Sequence, residues 1–94
     1  MKVLRAKSGI NKVIVEINTL QYIKQMTPLQ ALLDGEELEN PIEVRCYNII
    51  NEQRYGVSGV PYEEKKYSVF RGSQRVQAAI KLGYTHIEGI VINE

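Results

Sequence analysis

The stretch YSVFRGSQRVQAAIKLG, residues 67–83, constrains the fold most, because three local patterns follow one another without a gap. The aromatic and β-branched residues before Arg71 predict a strand, and Gly72 predicts a sharp turn. The residues from Ser73 onward have apolar positions at helical spacing and predict a helix. A strand that turns directly into a helix indicates an α+β or α/β domain in which the helix packs on a sheet.

Two arginines, Arg71 and Arg75, flank the predicted start of this helix. A helix N-terminus carries partial positive charge and N–H groups that have no acceptor inside the helix, so cations there are unfavourable unless an anion is bound. Guanidinium groups suit phosphate oxygens. The pattern therefore favours a phosphate site in the segment FRGSQR. Its candidate residues are Arg71, Gly72, Ser73, Gln74 and Arg75, with additional charge from Arg45 on the neighbouring strand.

A structural interpretation of the same two arginines stays open at this point. Arg71 and Arg75 could be solvated, or could pair with Glu43 or Glu88. An exposed cation near a helix N-terminus is unfavourable by only about 0.3–1 kcal/mol, which a folded protein tolerates. The residues alone therefore do not decide between an anion site and ordinary ion pairs.

Hydrophobic patterning assigns the rest of the chain to strands and short helices. Residues 1–6 fit either a short strand or a loose arm. Strands are predicted over 12–17, 41–50, 66–70 and 86–92. The density of apolar residues in 86–92 predicts a strand buried on both faces, either a central strand or one covered by helices. Helices are predicted over 18–26, capped by Asn18 or Thr19, and from Pro28, capped by Thr27. Within the helix after Gly72, the predicted buried stripe is Val76, Ala79, Ile80 and Gly83.

A long connection is predicted between the third and fourth strands, over residues 51–65, as an excursion of a hairpin. The segment QRYGVSGVPYEEKKY, residues 53–67, interleaves basic residues with tyrosines, a mixture that can bind single-stranded nucleic acid. These residues are Arg54, Lys65 and Lys66, with Tyr55, Tyr62 and Tyr67. Tyrosines folded down on the sheet are the slightly favoured alternative.

Composition limits the classes of protein to which the chain can belong. With 94 residues it is expected to form a single domain over residues 1–94. Its net charge of +1 means that any affinity for nucleic acid must come from a local patch. There is no apolar run of about 20 residues, so no membrane partner is expected and a cytoplasmic location is predicted. The lone Cys46 and lone His86 have no ligand spacing, so no metal site is predicted.

The pattern Y-x-V-x-x-G-x-x-R-x-x-A-A-x-x-L-G over residues 67–83, followed by IEGIVI, resembles the core of the ParB N-terminal-like and sulfiredoxin superfamily. The upstream segments VIVEINTLQ and NPIEVR are similar to the opening strand and the pre-core strand of ParB-like domains. The resemblance implies a small mixed β-sheet with packed helices. It also implies that the turn at Gly72 and Arg75 binds the phosphates of a nucleotide or of a nucleic-acid backbone. The cofactor is left open, with a nucleotide and magnesium as one candidate.

Two positions depart from the reactive members of that superfamily. Ser73 stands where sulfiredoxins have a reactive cysteine, and Gln74 where they have histidine. The segregation proteins usually have glutamate and arginine there. The resemblance therefore implies phosphate binding rather than chemistry, in a minimal, stand-alone member of the kind that would suit a phage or mobile element.

The leading functional hypothesis is thus a ParB-like binding module for a nucleotide or nucleic-acid phosphate, and catalysis is not the favoured interpretation. One alternative is a nucleotide-processing enzyme or nuclease on the same fold, which would need a carboxylate such as Asp34 or Glu43 near the phosphate. The other is a small viral or mobile-element interaction protein that has a degenerate pocket and a protein partner.

Overall fold

A computed structural model of the chain describes residues 1–55 and 61–92. It contains a five-stranded mixed sheet and two α-helices, in agreement with the predicted small mixed sheet with packed helices. The strands are β1 (Val3–Leu4), β2 (Val13–Glu16), β3 (Ile42–Tyr55), β4 (Pro61–Arg71) and β5 (His86–Val91). The helices are α1 (Gln30–Leu33), α2 (Ser73–Lys81) and a short 3-10 helix (Ile17–Thr19) after β2.

The central strand is β5, as its apolar sequence predicts. It pairs in parallel with β1 and β3 and antiparallel with β2. Ile87 and Glu88 point to opposite faces of the sheet, and both are buried. The last strand in the sequence therefore joins the two N-terminal strands, β1 and β2, to β3.

Strands β3 and β4 form the predicted antiparallel hairpin, but both are longer than predicted. The pairing continues beyond Ile50 as far as Tyr55 opposite Pro61, so much of the expected connection over 51–65 belongs to the two strands. Turn residues such as Gly56 and Pro61 mark the end of a hairpin, but they do not fix how far its strands extend. Residues 56–60, the centre of that expected excursion, lie outside the described residues.

The core lies between the sheet and α2. Ile42 and Val44 of β3 are fully buried, as are Val76, Ala78 and Ala79 of α2. The helix is rotated slightly from its predicted orientation, because Ala78 faces the sheet and Ile80 is 47% exposed. Because only Gly72 separates Arg71, the last residue of β4, from Ser73, the N-terminus of α2 lies at the end of β4.

The segment between β2 and α1 does not form the helix predicted over 18–26, whereas the second predicted helix is present but begins two residues later than Pro28. Only the short 3-10 turn follows β2, and α1 begins at Gln30, without a cap from Thr27. The peptide groups of this segment bond to α2 instead. The Lys24 N–H donates to Ser73 Oγ at 3.2 Å, and the Leu29 N–H donates to the Gln74 carbonyl at 3.1 Å. These bonds replace the intrahelical bonds that propensity alone favours.

Candidate functional site at the start of α2

Gly72 is the turn residue that joins β4 to α2, and its backbone is left-handed, with φ of +111°. A Cβ at this position would lie 2.7 Å from Cγ2 of Ile42. Both the backbone conformation and the close approach therefore require glycine. The contact also fixes the first turn of α2 beside Ile42, the buried first residue of β3.

The first turn of α2 presents three peptide N–H groups, those of Ser73, Gln74 and Arg75. The first N–H with an acceptor inside the helix belongs to Val76, which donates to the Gly72 carbonyl at 3.0 Å. The three preceding N–H groups have no acceptor inside the helix. They border an open groove of about 300 Å³ that is lined by Met26, Leu29 and the four residues from Gly72 to Arg75.

Residues 24–29 form the opposite wall of this groove. The Ser73 side chain is buried, and its hydroxyl oxygen accepts the Lys24 N–H. Gln77 holds the same segment by donating from Nε2 to the Lys24 carbonyl at 3.2 Å. Gln74 uses its carbonyl to hold Leu29, while its side chain is exposed. Ser73 thus shapes the groove, and the Gln74 side chain lies at its open side.

Arg75 has a protein partner, which the sequence did not predict. Its Nη1 donates to the Pro41 carbonyl at 2.9 Å and to the Asn40 carbonyl at 3.4 Å. The guanidinium therefore ties the first turn of α2 to the segment that leads into β3. Arg75 is also one of the residues that line the groove.

Arg71 and Arg45 lie on the other face of the sheet from Ile42 and Val44. The Arg71 Nε is 3.7 Å from the Glu43 carboxylate, which is one of the two pairings considered from the sequence. Both guanidinium groups lie over the ring of Phe70, Arg45 at 4.6 Å and Arg71 at 5.5 Å from its centroid. The six predicted site residues thus form two groups, one at the start of α2 and one on the outer face of β3 and β4.

A larger groove, of about 600 Å³, lies on the other side of Arg75. Acidic residues of the segment after α1, including Glu36, Glu37 and Glu39, line it together with Lys7. The Lys7 ammonium lies 3.0 Å from the Glu37 carboxylate. The hydrogen bond to Glu37, followed by the charges of Glu37 and Glu39, raises the pKa of Lys7 above its usual value. Part of the acidic run is therefore paired with a cation beside the groove.

Glu88 is a buried charged residue whose environment the sequence did not predict. Its Oε1 accepts the Ala6 N–H at 2.7 Å and lies 3.4 Å from the Lys12 ammonium. Its Oε2 is 3.8 Å from Arg5. The sequence feature that could have indicated a buried, paired carboxylate is the single glutamate inside the apolar run HIEGIV. The described contacts of Glu88 are with the N-terminal part of the chain, so the suggested pairing with Arg71 or Arg75 is not among them.

Cys46 and His86, the lone cysteine and the lone histidine of the chain, lie on different strands. Cys46 is on β3 opposite Tyr67, and His86 at the start of β5 shares a hydrogen bond of 2.8 Å between Nδ1 and Thr85 Oγ1. Among the described side chains, those of residues 1–47 and 66–92, no group of three or more His, Cys, Asp or Glu is placed to hold a metal ion.

Comparisons with protein-family models, with curated proteins and with solved structures find no match to this chain. In the described part of the chain, the helices are too short or too polar to cross a bilayer.

Proposed function

We propose that the chain is a ParB/sulfiredoxin-like binding module that holds a phosphate group of a nucleotide or nucleic acid at the N-terminus of α2. The observation that carries the proposal is the set of three N–H groups, from Ser73, Gln74 and Arg75, that border the groove and have no acceptor inside the helix. Together with the helix dipole they favour an anion. The resemblance of residues 67–83 to the superfamily core supports the same location.

Each residue of the groove has a distinct role in this proposal. Gly72 lets the turn pack closely on Ile42, which sets where the first N–H groups of α2 lie. Ser73 and Gln74 contribute peptide donors, and Ser73 also holds the opposite wall through Lys24. Arg75 contributes positive charge from its position in the lining, while it remains bonded to Pro41. Arg71 and Arg45 do not belong to this phosphate site, because they lie on the outer face of the sheet.

The experiment is isothermal titration calorimetry with inorganic triphosphate, ATP and a short DNA duplex, each with and without magnesium. Gln74→Glu places a carboxylate at the open side of the groove, where it repels phosphate but favours the helix dipole. We expect the wild-type protein to bind at least one of these ligands, and Gln74→Glu to bind it about tenfold or more weakly.

Asn18→Asp is the matched control, because it adds the same charge at an exposed position on the 3-10 helix. It should bind like the wild-type protein. Equal binding by wild-type and Gln74→Glu protein would place the phosphate elsewhere, and absence of binding across all three ligands would reject the proposed function.

A further inference from the structure

Strand β2 (Val13–Glu16) is an edge strand of the sheet. It pairs with β5, and both β1 and β2 lie opposite His86 and Ile87 of that strand, so they must occupy its two different sides. Strand β3 pairs with β5 on the side of β1. Among the described residues, no strand pairs with the outer side of β2. Its outer side therefore presents backbone groups that can pair with another strand.

The peptide groups at this outer edge follow from the register with β5. The Ile17 N–H donates to the Thr85 carbonyl at 3.0 Å, so the odd-numbered residues of β2 direct their peptide groups toward β5. The N–H groups of Ile14 and Glu16 and the carbonyls of Lys12 and Ile14 therefore point outward. Within the part of the chain that the structure describes, no strand or side chain bonds to these four groups.

The side chains of Lys12, Ile14 and Glu16 share one face of the strand. Ile14 is 44% exposed, although it is apolar. Glu16 is exposed and forms no ion pair with the described side chains. Lys12 lies 3.4 Å from the Glu88 carboxylate, but Arg5 lies 3.8 Å from the same carboxylate, so two cations share one anion. The segment KVIVE, residues 12–16, thus has a cation at one end, an exposed apolar residue at its centre and an unpaired carboxylate at the other end.

We propose that β2 pairs antiparallel with β2 of a second copy of this chain, so that the two sheets become one continuous sheet. The two Ile14 residues lie opposite each other on a two-fold axis, and Lys12 of each copy lies opposite Glu16 of the other. The Ile14 residues exchange two hydrogen bonds, and each Glu16 N–H donates to the Lys12 carbonyl of the other copy. All four outward peptide groups of each strand are then used.

Charge complementarity identifies the second copy as the occupant of this edge. In the antiparallel orientation the segment KVIVE is complementary to itself, because its cation meets its own carboxylate at both ends. A shift of the pairing by two residues in either direction would place Ile14 opposite Lys12 or Glu16 and would break both charge pairs. Glu16 of the second copy supplies the carboxylate that Lys12 and Arg5 otherwise share in Glu88.

The pairing is independent of the phosphate site, because no residue of β2 lines the groove at the start of α2. It is also a small contact, confined to one short strand from each copy. Small interfaces belong to weak complexes, so we expect a reversible dimer that dissociates on dilution.

Sedimentation velocity over a series of protein concentrations tests the association, with circular dichroism to check that each variant is folded. The wild-type protein should shift from monomer to dimer as its concentration rises. Ile14→Lys places two cations opposite each other on the axis and should stay monomeric. Glu16→Lys places a cation opposite Lys12 twice in the dimer and should weaken association by about tenfold. Glu36→Lys makes the same charge change at an exposed position outside β2 and should associate like the wild-type protein.

Disulfide cross-linking tests the register. In a Cys46→Ala background, Ile14→Cys places two thiols opposite each other at a Cα separation of about 5.5 Å, within the range that a disulfide spans. Oxidised glutathione should therefore convert this variant to a covalent dimer. Ile10→Cys is the matched control, because Ile10 is 81% exposed but lies at opposite ends of the paired segments in the two copies, about 14 Å or more apart. It should stay largely monomeric.

Three results would overturn the inference. The first is a wild-type protein that stays monomeric at the concentrations used for NMR spectroscopy, which would leave the β2 edge to a different partner. The second is association that Ile14→Lys leaves unchanged. The third is cross-linking of Ile10→Cys as fast as that of Ile14→Cys.

Discussion

Gly72 and Ile42 are packed so closely that a single added methyl group would lie 2.7 Å from the Ile42 Cγ2 atom. This contact joins the turn before α2 to the fully buried start of β3. It fixes where the first N–H groups of the helix lie. The position of the proposed phosphate site therefore depends on the absence of a side chain at Gly72.

Gly72→Ala should lower the free energy of unfolding by about 2–4 kcal/mol, because a left-handed alanine is strained and the core is overpacked. Gly35 is the matched control. It also has positive φ, +93°, but a Cβ there would meet nothing within 4 Å. Gly35→Ala should therefore cost only the conformational part, about 1–2 kcal/mol. Urea denaturation measures both, and equal losses would show that Ile42 does not constrain Gly72.

Arg75→Ala should destabilise the protein whether or not a ligand is present, because it removes the donor to the Pro41 and Asn40 carbonyls. We expect a loss of about 1–2 kcal/mol, which for a domain of this size lowers Tm on the order of 5–15 °C. Arg75→Lys should keep part of the stability. Thermal unfolding followed by circular dichroism checks this, with Lys81→Ala as the unchanged control. An unaltered Tm in Arg75→Ala would contradict the bonds to the segment before β3.

Glu88→Ala should cost about 2–4 kcal/mol, because it leaves the Ala6 N–H without its acceptor and Lys12 without its carboxylate. Glu88→Gln keeps an amide oxygen that can accept the Ala6 N–H, so its loss should be smaller. Chemical denaturation of the two variants gives the comparison. If Glu88→Gln were as damaging as Glu88→Ala, the hydrogen bond to Ala6 would not be the main contribution.

The parts of the fold that the sequence predicted are those specified by local pattern. The aromatic and β-branched residues before Gly72 correctly placed the end of β4, the apolar spacing after it placed α2, and the apolar run from His86 placed β5. Alternation along β3 correctly put Ile42 and Val44 on the buried face. In each case the pattern of residues that are close in the sequence is enough to predict the element.

The parts that the sequence did not predict depend on contacts between distant residues. The segment that contains Lys24 and Leu29 has helical propensity, but its N–H groups bond to α2. The partner of Arg75 is a carbonyl 34 residues earlier in the chain. Arg71 was expected beside the helix, but the structure places it over Phe70 and near Glu43, on the other face of the sheet. The pairing of Arg71 with Glu43 was one alternative that the sequence left open, but the linear pattern does not choose between such alternatives.

The most direct test of the central claim is an amide chemical-shift titration of the ¹⁵N-labelled protein with inorganic triphosphate. The account predicts that the largest, saturable shifts belong to the N–H groups of Ser73, Gln74 and Arg75, and that they disappear in Gln74→Glu. Largest shifts at Phe70 and Arg71, or no saturable shift at the first turn of α2, would contradict it.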